Sequence, residues 1–254
     1  MIKVLLATPL KQKPYIFTEF QKSIDNLIIP DGVTLDRFYI VNNCPEIIPY
    51  ITSGSFQEIT FEEQTLQQTP HNWKSEHIRH MIDMRNHCFN VASQGDYDYV
   101  FSVDSDLILN PHTLKLLLDY KTDIIGEAYW TKSEIGLWYN ASLYNLYNMD
   151  QKVTVPNNIQ AIVDHQVPGV YRVGMTGACI LISKRVWQSG VNYSEIPYQW
   201  AEPISEDRNF CLRAACAGFP IYIDTQIPPY HLFNDEYYNT YMERIGSSLR
   251  APTV

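Results

Sequence analysis

Two aspartates one residue apart, Asp104 and Asp106, follow directly on the apolar run Tyr97 to Val103. Carboxylates so spaced at a strand terminus can meet a nucleotide from one side. One accepts a hydrogen bond from a ribose hydroxyl, while the other reaches a divalent ion. Hard oxygen ligands suit Mg2+ or Mn2+, which neutralises a diphosphate leaving group. The same spacing also occurs in solvated acidic turns, so its meaning depends on what surrounds it. A second acidic pair, Glu206 and Asp207, follows Ser205 at a helix start. Acids there complement the helix dipole, or, facing a substrate hydroxyl, accept its proton. His231 comes after the rigid Pro228-Pro229 pair and is either a loop histidine or an imidazole ligand of the kind Mn2+ accepts. Arg85 shares a helix face with Ile78, Met81, Ile82, Cys88, Phe89 and Ala92. A buried guanidinium requires an anion, and a carboxylate such as Asp104 and a nucleotide diphosphate qualify equally.

The elements that must position these groups alternate between strands and helices. Ile2 to Ala7 reads as a buried strand, Tyr15 to Ile28 as a helix, Pro30-Asp31-Gly32 as a turn and Leu35 to Val41 as a second strand. A third strand is expected near Glu58 to Phe61, and a long helix over Glu76 to Ala92. Tyr97 to Val103 then forms a central strand. Asn110-Pro111 starts a helix reaching about Tyr120, and Asp123 to Ala128 follows as a strand. From Tyr129 to Val170 the chain is irregular and rich in Tyr, Trp and Asn, which fits loops and short strands along one wall of a site. Regularity returns with a strand over Ala178 to Ser183, a helix capped by Ser205 and ended at Gly218, and a strand over Ile221 to Ile223. This order predicts an α/β fold: an open, mainly parallel sheet with helices on both faces, binding ligands beyond the carboxyl ends of its strands.

In that order the motifs resemble those of GT-A glycosyltransferases, with particular similarity to family 2. Phe101-Ser102-Val103-Asp104-Ser105-Asp106 is similar to the strand and DxD element of that fold. Leu6-Ala7-Thr8-Pro9 resembles its first strand and nucleotide-facing loop, and Val41-Asn42-Asn43 falls where the second strand offers polar groups to the base. Met84-Arg85-Asn86 resembles the Arg-Asn pair on the helix before the DxD strand, and Gly177-Ala178-Cys179 resembles the glycine-led strand beside the donor sugar. Ser205 to Phe210 looks like the acidic helix start, and His231 stands where a late histidine completes the metal site. The resemblance covers about residues 1 to 231.

It implies transfer of a sugar from a nucleoside diphosphate donor, UDP-linked by preference, to an acceptor hydroxyl. Asp207 would be the base of an inverting reaction, with Glu206 orienting it or the acceptor. It also implies Asp106, His231 and Asp104 as ligands of Mn2+ or Mg2+. Thr8, Pro9, Asn42, Asn43, Arg85, Asp104, Ser105 and Gly177 would line the donor site. A single GT-A-like domain is expected, with a nucleotide-binding half over 1–110, an acceptor half over 111–231 and a C-terminal segment over 232–254 that docks, closes as a lid or simply packs.

Composition bounds these readings. A chain of 254 residues can bury one substantial core, and 45% hydrophobic with 19% charged residues is ordinary for a globular protein. The formal net charge of -9 disfavours nonspecific nucleic-acid binding. The N-terminal apolar stretch is too short to cross a membrane and reads as a first strand, so a cytoplasmic location is expected. Five cysteines without CxxC spacing read as buried free thiols. His77, His80 and His87 read as surface histidines, since no cysteine or carboxylate set completes a zinc pattern. Trp130, Trp138, Tyr139, Tyr198 and Trp200 offer flat faces for a sugar ring, though core packing competes for each, and Trp200-Ala201-Glu202 is the preferred acceptor element. Three alternatives stand beside inverting transfer: a retaining transferase of the same fold, a nucleotidyltransferase, and a non-catalytic nucleotide- or sugar-binding module. The glycine-free Thr8-Pro9-Leu10-Lys11 loop argues against the second.

Overall fold

The computed structural model describes residues 1–61, 75–132, 138–139, 165–196 and 205–248. In chain order the first half gives β1 (Ile2–Leu10), α1 (Pro14–Asp25), β2 (Val33–Asn42), a 3-10 turn (Pro45–Tyr50), β3 (Ser55–Ile59), α2 (Ser75–Gln94), β4 (Tyr99–Val103), β5 (Leu107–Ile108), α3 (Thr113–Asp119) and β6 (Ile124–Glu127). The second half gives β7 (Thr131–Lys132), β8 (Trp138–Tyr139), β9 (Val170–Arg172), β10 (Cys179–Ser183), α4 (Lys184–Gln188), α5 (Glu206–Cys216), β11 (Tyr222–Asp224), β12 (Tyr230–His231) and α6 (Asp235–Ser248).

Eight strands form one sheet in the order β3-β2-β1-β4-β10-β6-β11-β9. β3, β2, β1 and β4 run parallel, as do β6 and β11. β10 is antiparallel to both β4 and β6, which therefore point the same way, and β9 is antiparallel to β11. Six strands thus end on one edge, and β10 begins there. The sheet is mainly parallel, as the βαβ order requires.

Alternation along each strand divides the core into two layers. Leu5, Ala7, Val100, Ile124, Ile180 and Ile182 face Ile82, Phe89 and Phe210 of α2 and α5. Val4, Leu6, Phe101, Val103, Ile125 and Leu181 face Phe17 and Phe20 of α1 and Leu114 and Leu117 of α3. Helices on both faces follow from strands that are apolar at nearly every position.

The boundaries differ from expectation where local chemistry decides them. β1 runs through Pro9 to Leu10 because β4 pairs with it only as far as Ala7, so Pro9 lies where β1 is bonded on one side alone. β3 begins at Ser55, three residues before the expected start, after Gly54 at φ +96, where an added Cβ would lie 2.7 Å from Arg37 Cβ. α3 begins at Thr113 because the Asn110 side chain first accepts from His112 N at 3.0 Å and forms a turn. α5 carries the expected cap, Ser205 Oγ accepting from Arg208 N at 3.4 Å. Cys44, Cys88, Cys179 and Cys211 are buried free thiols, whereas Cys216 is exposed. Of the C-terminal segment, Asp235–Ser248 is helical and its first residue pairs with Lys13 at 2.6 Å. Among the described residues no helix is long and apolar enough to cross a membrane.

Candidate functional site

The shared strand edge gathers most of the residues singled out by type. β4 delivers Asp104 and Asp106, and the start of β10 brings Gly177 and Ala178 beside them through Asp104 N donating to Ala178 O at 2.7 Å. α5 precedes β11 and so starts at the same edge with Glu206 and Asp207.

Asp106 and His231 are joined by a short ladder. β5 and β12 pair antiparallel with His231 opposite Leu107, and Leu232 N donates to Asp106 O at 2.7 Å. Backbone pairing thereby sets His231 Nε2 3.3 Å from Asp106 Oδ2. Both side chains keep some exposure, 10% for His231 and 21% for Asp106. The Tyr129 and Phe233 rings stand edge-on to the imidazole at 5.2 and 5.4 Å and fix its orientation.

Arg85 occupies the centre of a second group. It is 2% exposed, donates from Nη1 to Ser102 Oγ at 2.8 Å and from Nη2 to Asp104 Oδ1 at 3.0 Å, and its Nε lies 3.5 Å from Glu206 Oε1 and 3.7 Å from Asp207 Oδ1. Of the two partners weighed for this guanidinium, the structure supplies carboxylates. Burial raises the carboxyls of Asp104 and Asp207 above the usual carboxylate range, while Arg85 draws both back toward the charged form. Gly177 fits this group by lacking a side chain: an added Cβ would lie 2.0 Å from Asp207 Oδ2. The glycine lets Asp207 lie directly against the start of β10.

The nucleotide-facing candidates lie at the ends of β1 and β2. Thr8 is fully buried, and neither its Oγ1 nor Asn42 Oδ1 has a hydrogen-bond partner among the described residues. Asn43 adopts φ 48 and its amide exchanges two 2.9 Å hydrogen bonds with the backbone of Phe61, so it shapes the loop after β2. Ser105 is 7% exposed between the two aspartates. Lys13 is engaged with Asp235. Tyr198, Trp200 and Glu202 lie outside the described residues, as does most of the stretch between Tyr129 and Val170.

Sequence reading passed over a further acid. Glu127 ends β6 fully buried, with neither carboxyl oxygen hydrogen-bonded among the described residues, in register with Asp224 of β11. Asp224 accepts from Tyr120 Oη at 2.7 Å and from Gln226 N at 2.8 Å. Burial, reinforced by the Asp224 charge, pushes the Glu127 carboxyl up to about 9. The signal was present in Ile124-Ile125-Gly126-Glu127-Ala128, a charged side chain inside an apolar strand, as Arg85 is inside an apolar helix face.

The donor set fits a divalent cation in part. Among the described residues no group of three or more His, Cys, Asp or Glu side chains converges as a complete metal cage. Asp106 and His231 converge at a partly open edge, and two such groups would leave a cation coordination positions for phosphates and water, as Mg2+ commonly has them.

A search of curated proteins returned no match. Among solved structures the chain is similar to S. aureus TarS 1-349, at 14% identity over 100% of this chain and 67% of that one with a TM-score of 0.50. It is also similar to S. aureus TarS 1-349 in complex with UDP, at 12% identity over 90% of this chain and 59% of that one with a TM-score of 0.51. At such identities the likeness bears on fold alone. The sequence itself matches the family described as Glycosyltransferase family 25, N-terminal domain, over residues 50–234, a span that includes the DxD strand, Arg85, Gly177, the acidic helix start and His231. The motif resemblance to family 2 and this match to family 25 agree on the GT-A glycosyltransferase class. With the mainly parallel sheet and its acidic edge, the match over most of its length makes this chain a member of the glycosyltransferase family whose domain is the N-terminal one of family 25.

Proposed function

We propose that the chain transfers a sugar from a nucleoside diphosphate donor, UDP-linked by preference, to an acceptor hydroxyl with inversion at the anomeric carbon. The observation that carries this reading is the convergence at one strand edge of the Asp106–His231 pair and the Arg85-centred carboxylates. Asp106 and His231 would hold Mn2+ or Mg2+, which when bound supplies positive charge to the leaving diphosphate. Thr8 Oγ1 and Asn42 Oδ1, buried without partners among the described residues, are available to the nucleotide. Pro9 and Asn43 shape the backbone around them. Asp104, oriented by Arg85, and Ser105 complete the donor wall.

Asp207 is suited to take the acceptor proton. It lies at the N-terminus of α5, keeps 21% exposure and carries a carboxyl whose proton affinity burial has increased. Glu206, 3% exposed and paired with Arg85, holds this geometry. Residues 1–110 thus form the nucleotide half and 111–231 the acceptor half, with α6 pinned by Lys13 to the loop after β1.

The test is thermal stabilisation by UDP, GDP and CDP, each with Mn2+ and with chelator, in wild type and Asp106→Ala. A ligand that binds only the folded state raises the melting temperature. A rise for UDP that needs metal and vanishes in Asp106→Ala supports the reading. The reading is wrong if no nucleotide produces a shift with metal present. Asp207→Asn should retain donor binding and lose transfer, and normal turnover would remove Asp207 as base.

A further inference from the structure

Between α2 and the segment from Trp187 to Ser194 lies a depression of about 320 Å3 that the donor site does not use. We propose that it is an accessory site for a neutral hexopyranose unit, carried by the acceptor at a position other than the one that reacts. The proposal rests on the glycosyltransferase reading above and narrows its acceptor to one that bears sugar.

Three observations carry it. The first is composition: the described residues that line the depression carry no charge and offer carboxamides and hydroxyls from Asn86, Asn90, Asn192, Ser93 and Ser194. An uncharged sugar presents hydroxyls that both donate and accept. A carboxamide matches them with two donors and two acceptor sites, without the desolvation cost of an ion. A phosphate or carboxylate ligand would find no countercharge among these side chains.

The second is preorganisation. Asn86 Oδ1 accepts from Tyr193 N at 2.9 Å, and Asn192 Oδ1 accepts from Ser194 N at 2.9 Å while its Nδ2 donates to Gly190 O at 3.0 Å. Each amide is fixed by one bond per oxygen and retains a second acceptor site and at least one further N–H. Groups already oriented lose little entropy on binding. Beneath them the buried Phe89 and Trp187 rings stack on each other with centroids 5.6 Å apart and an interplanar angle of 19°, which closes the bottom of the depression with rigid apolar carbon. The volume is at the lower end of small-ligand sites, roughly 300–1,000 Å3, which suits one ring rather than a chain.

The third is connection to the chemistry. Asn86 follows Arg85 on α2. The opposite wall is tied to the helix bearing Asp207, with Arg213 donating to Ser194 O and Glu195 O at 3.0 Å each and Ile196 N donating to Asn209 Oδ1 at 3.3 Å. Sugar bound here therefore touches the segment that leads on to the acidic start of α5.

The experiment is saturation-transfer difference NMR on the whole chain with methyl glucoside, methyl galactoside and methyl mannoside as probes. Ser93→Trp is placed to fill the depression from an exposed helix position, and Asn90→Ala removes one exposed amide on the same helix. At least one hexoside should receive saturation in wild type, and should still do so in Asp106→Ala and with UDP and Mn2+ in excess. Binding should be abolished in Ser93→Trp and weakened severalfold in Asn90→Ala, while both variants keep the wild-type UDP-induced rise in melting temperature. The proposal is overturned if all three hexosides are silent. It is equally overturned if UDP displaces the bound hexoside, or if binding is unchanged in both variants. A missing UDP shift in wild type would count against the nucleotide reading alone, since the hexoside signal is read without nucleotide.

Discussion

Replacing Glu127 with Gln should make the protein more stable, and by an amount that grows with pH. In the folded chain this carboxyl is fully buried beside Asp224, with Tyr120 and Cys179 also on that face, and is held protonated up to about pH 9 against an ordinary value of 4.5. The folded state therefore keeps a proton that the unfolded chain releases from pH 4.5 upward. Stability contributed by this proton is fully present below the unfolded value and is lost as pH rises through the window to about 9. Each pH unit in that window costs about 1.36 kcal/mol, so near pH 7 the loss is on the order of 3 kcal/mol. Glutamine has nearly the same shape, cannot ionise and brings N–H donors toward Asp224. Urea unfolding of wild type and Glu127→Gln should give nearly equal midpoints near the acid end of the window. Toward neutral pH the variant should lead by about 1 M, taking a slope of ~3 kcal/mol per M. A gap that stays constant with pH, or a variant destabilised throughout, would show that Glu127 titrates alike in folded and unfolded chains and that its buried oxygens are satisfied.

Other substitutions probe the edge itself. Gly177→Ala places a Cβ 2.0 Å from Asp207 Oδ2 and 2.4 Å from its Cγ, so Asp207 must move. Folding should be little changed, since this glycine needs no positive φ, while transfer measured at saturating donor should fall by roughly 10²-fold. Arg85→Ala leaves Glu206 and Asp104 without their buried cation and should cost about 3–5 kcal/mol in denaturant unfolding. A loss below ~1 kcal/mol would mean the carboxylates simply take up protons in its absence.

Much of this architecture could be read from the chain because it is written in local periodicity. Runs such as Val4-Leu5-Leu6-Ala7 and Tyr99 to Val103 are apolar on both faces, which only an internal strand explains, and the face containing Ile78, Ile82 and Phe89 fixes α2. The direction of β10 was not legible, because Cys179-Ile180-Leu181-Ile182 has the same composition whether it runs with β4 or against it. Nor was the β5–β12 ladder, two residues on each side, too short for any period to emerge. His231 could be picked out by type and by its prolines, yet its distance to Asp106 depends on that ladder. The depression was not legible either: Asn86 and Asn90 share α2, but only the tertiary fold brings Asn192 across from them. Arg85 and Glu127 show the opposite case, since a charge in an apolar run is a visible anomaly even when its partners are not.

Charge at the edge bears on the order of binding. Asp104, Glu206 and Asp207 surround one buried guanidinium, Asp106 adds a fourth carboxylate, and His231 adds positive charge only if protonated. Arg85 is already shared among three of the four, whereas Asp106 is paired with the imidazole. A nucleoside diphosphate brings further negative charge to this edge, and at effective dielectric constants near 20 two like charges 4 Å apart repel by about 4 kcal/mol. Donor affinity in chelator should therefore be weak for an electrostatic reason that Asp106→Asn relieves in part. The variant should bind UDP without metal better than wild type does, and with metal worse. This crossover separates a cation held by Asp106 from one carried in on the nucleotide alone, for which the substitution would improve binding under both conditions.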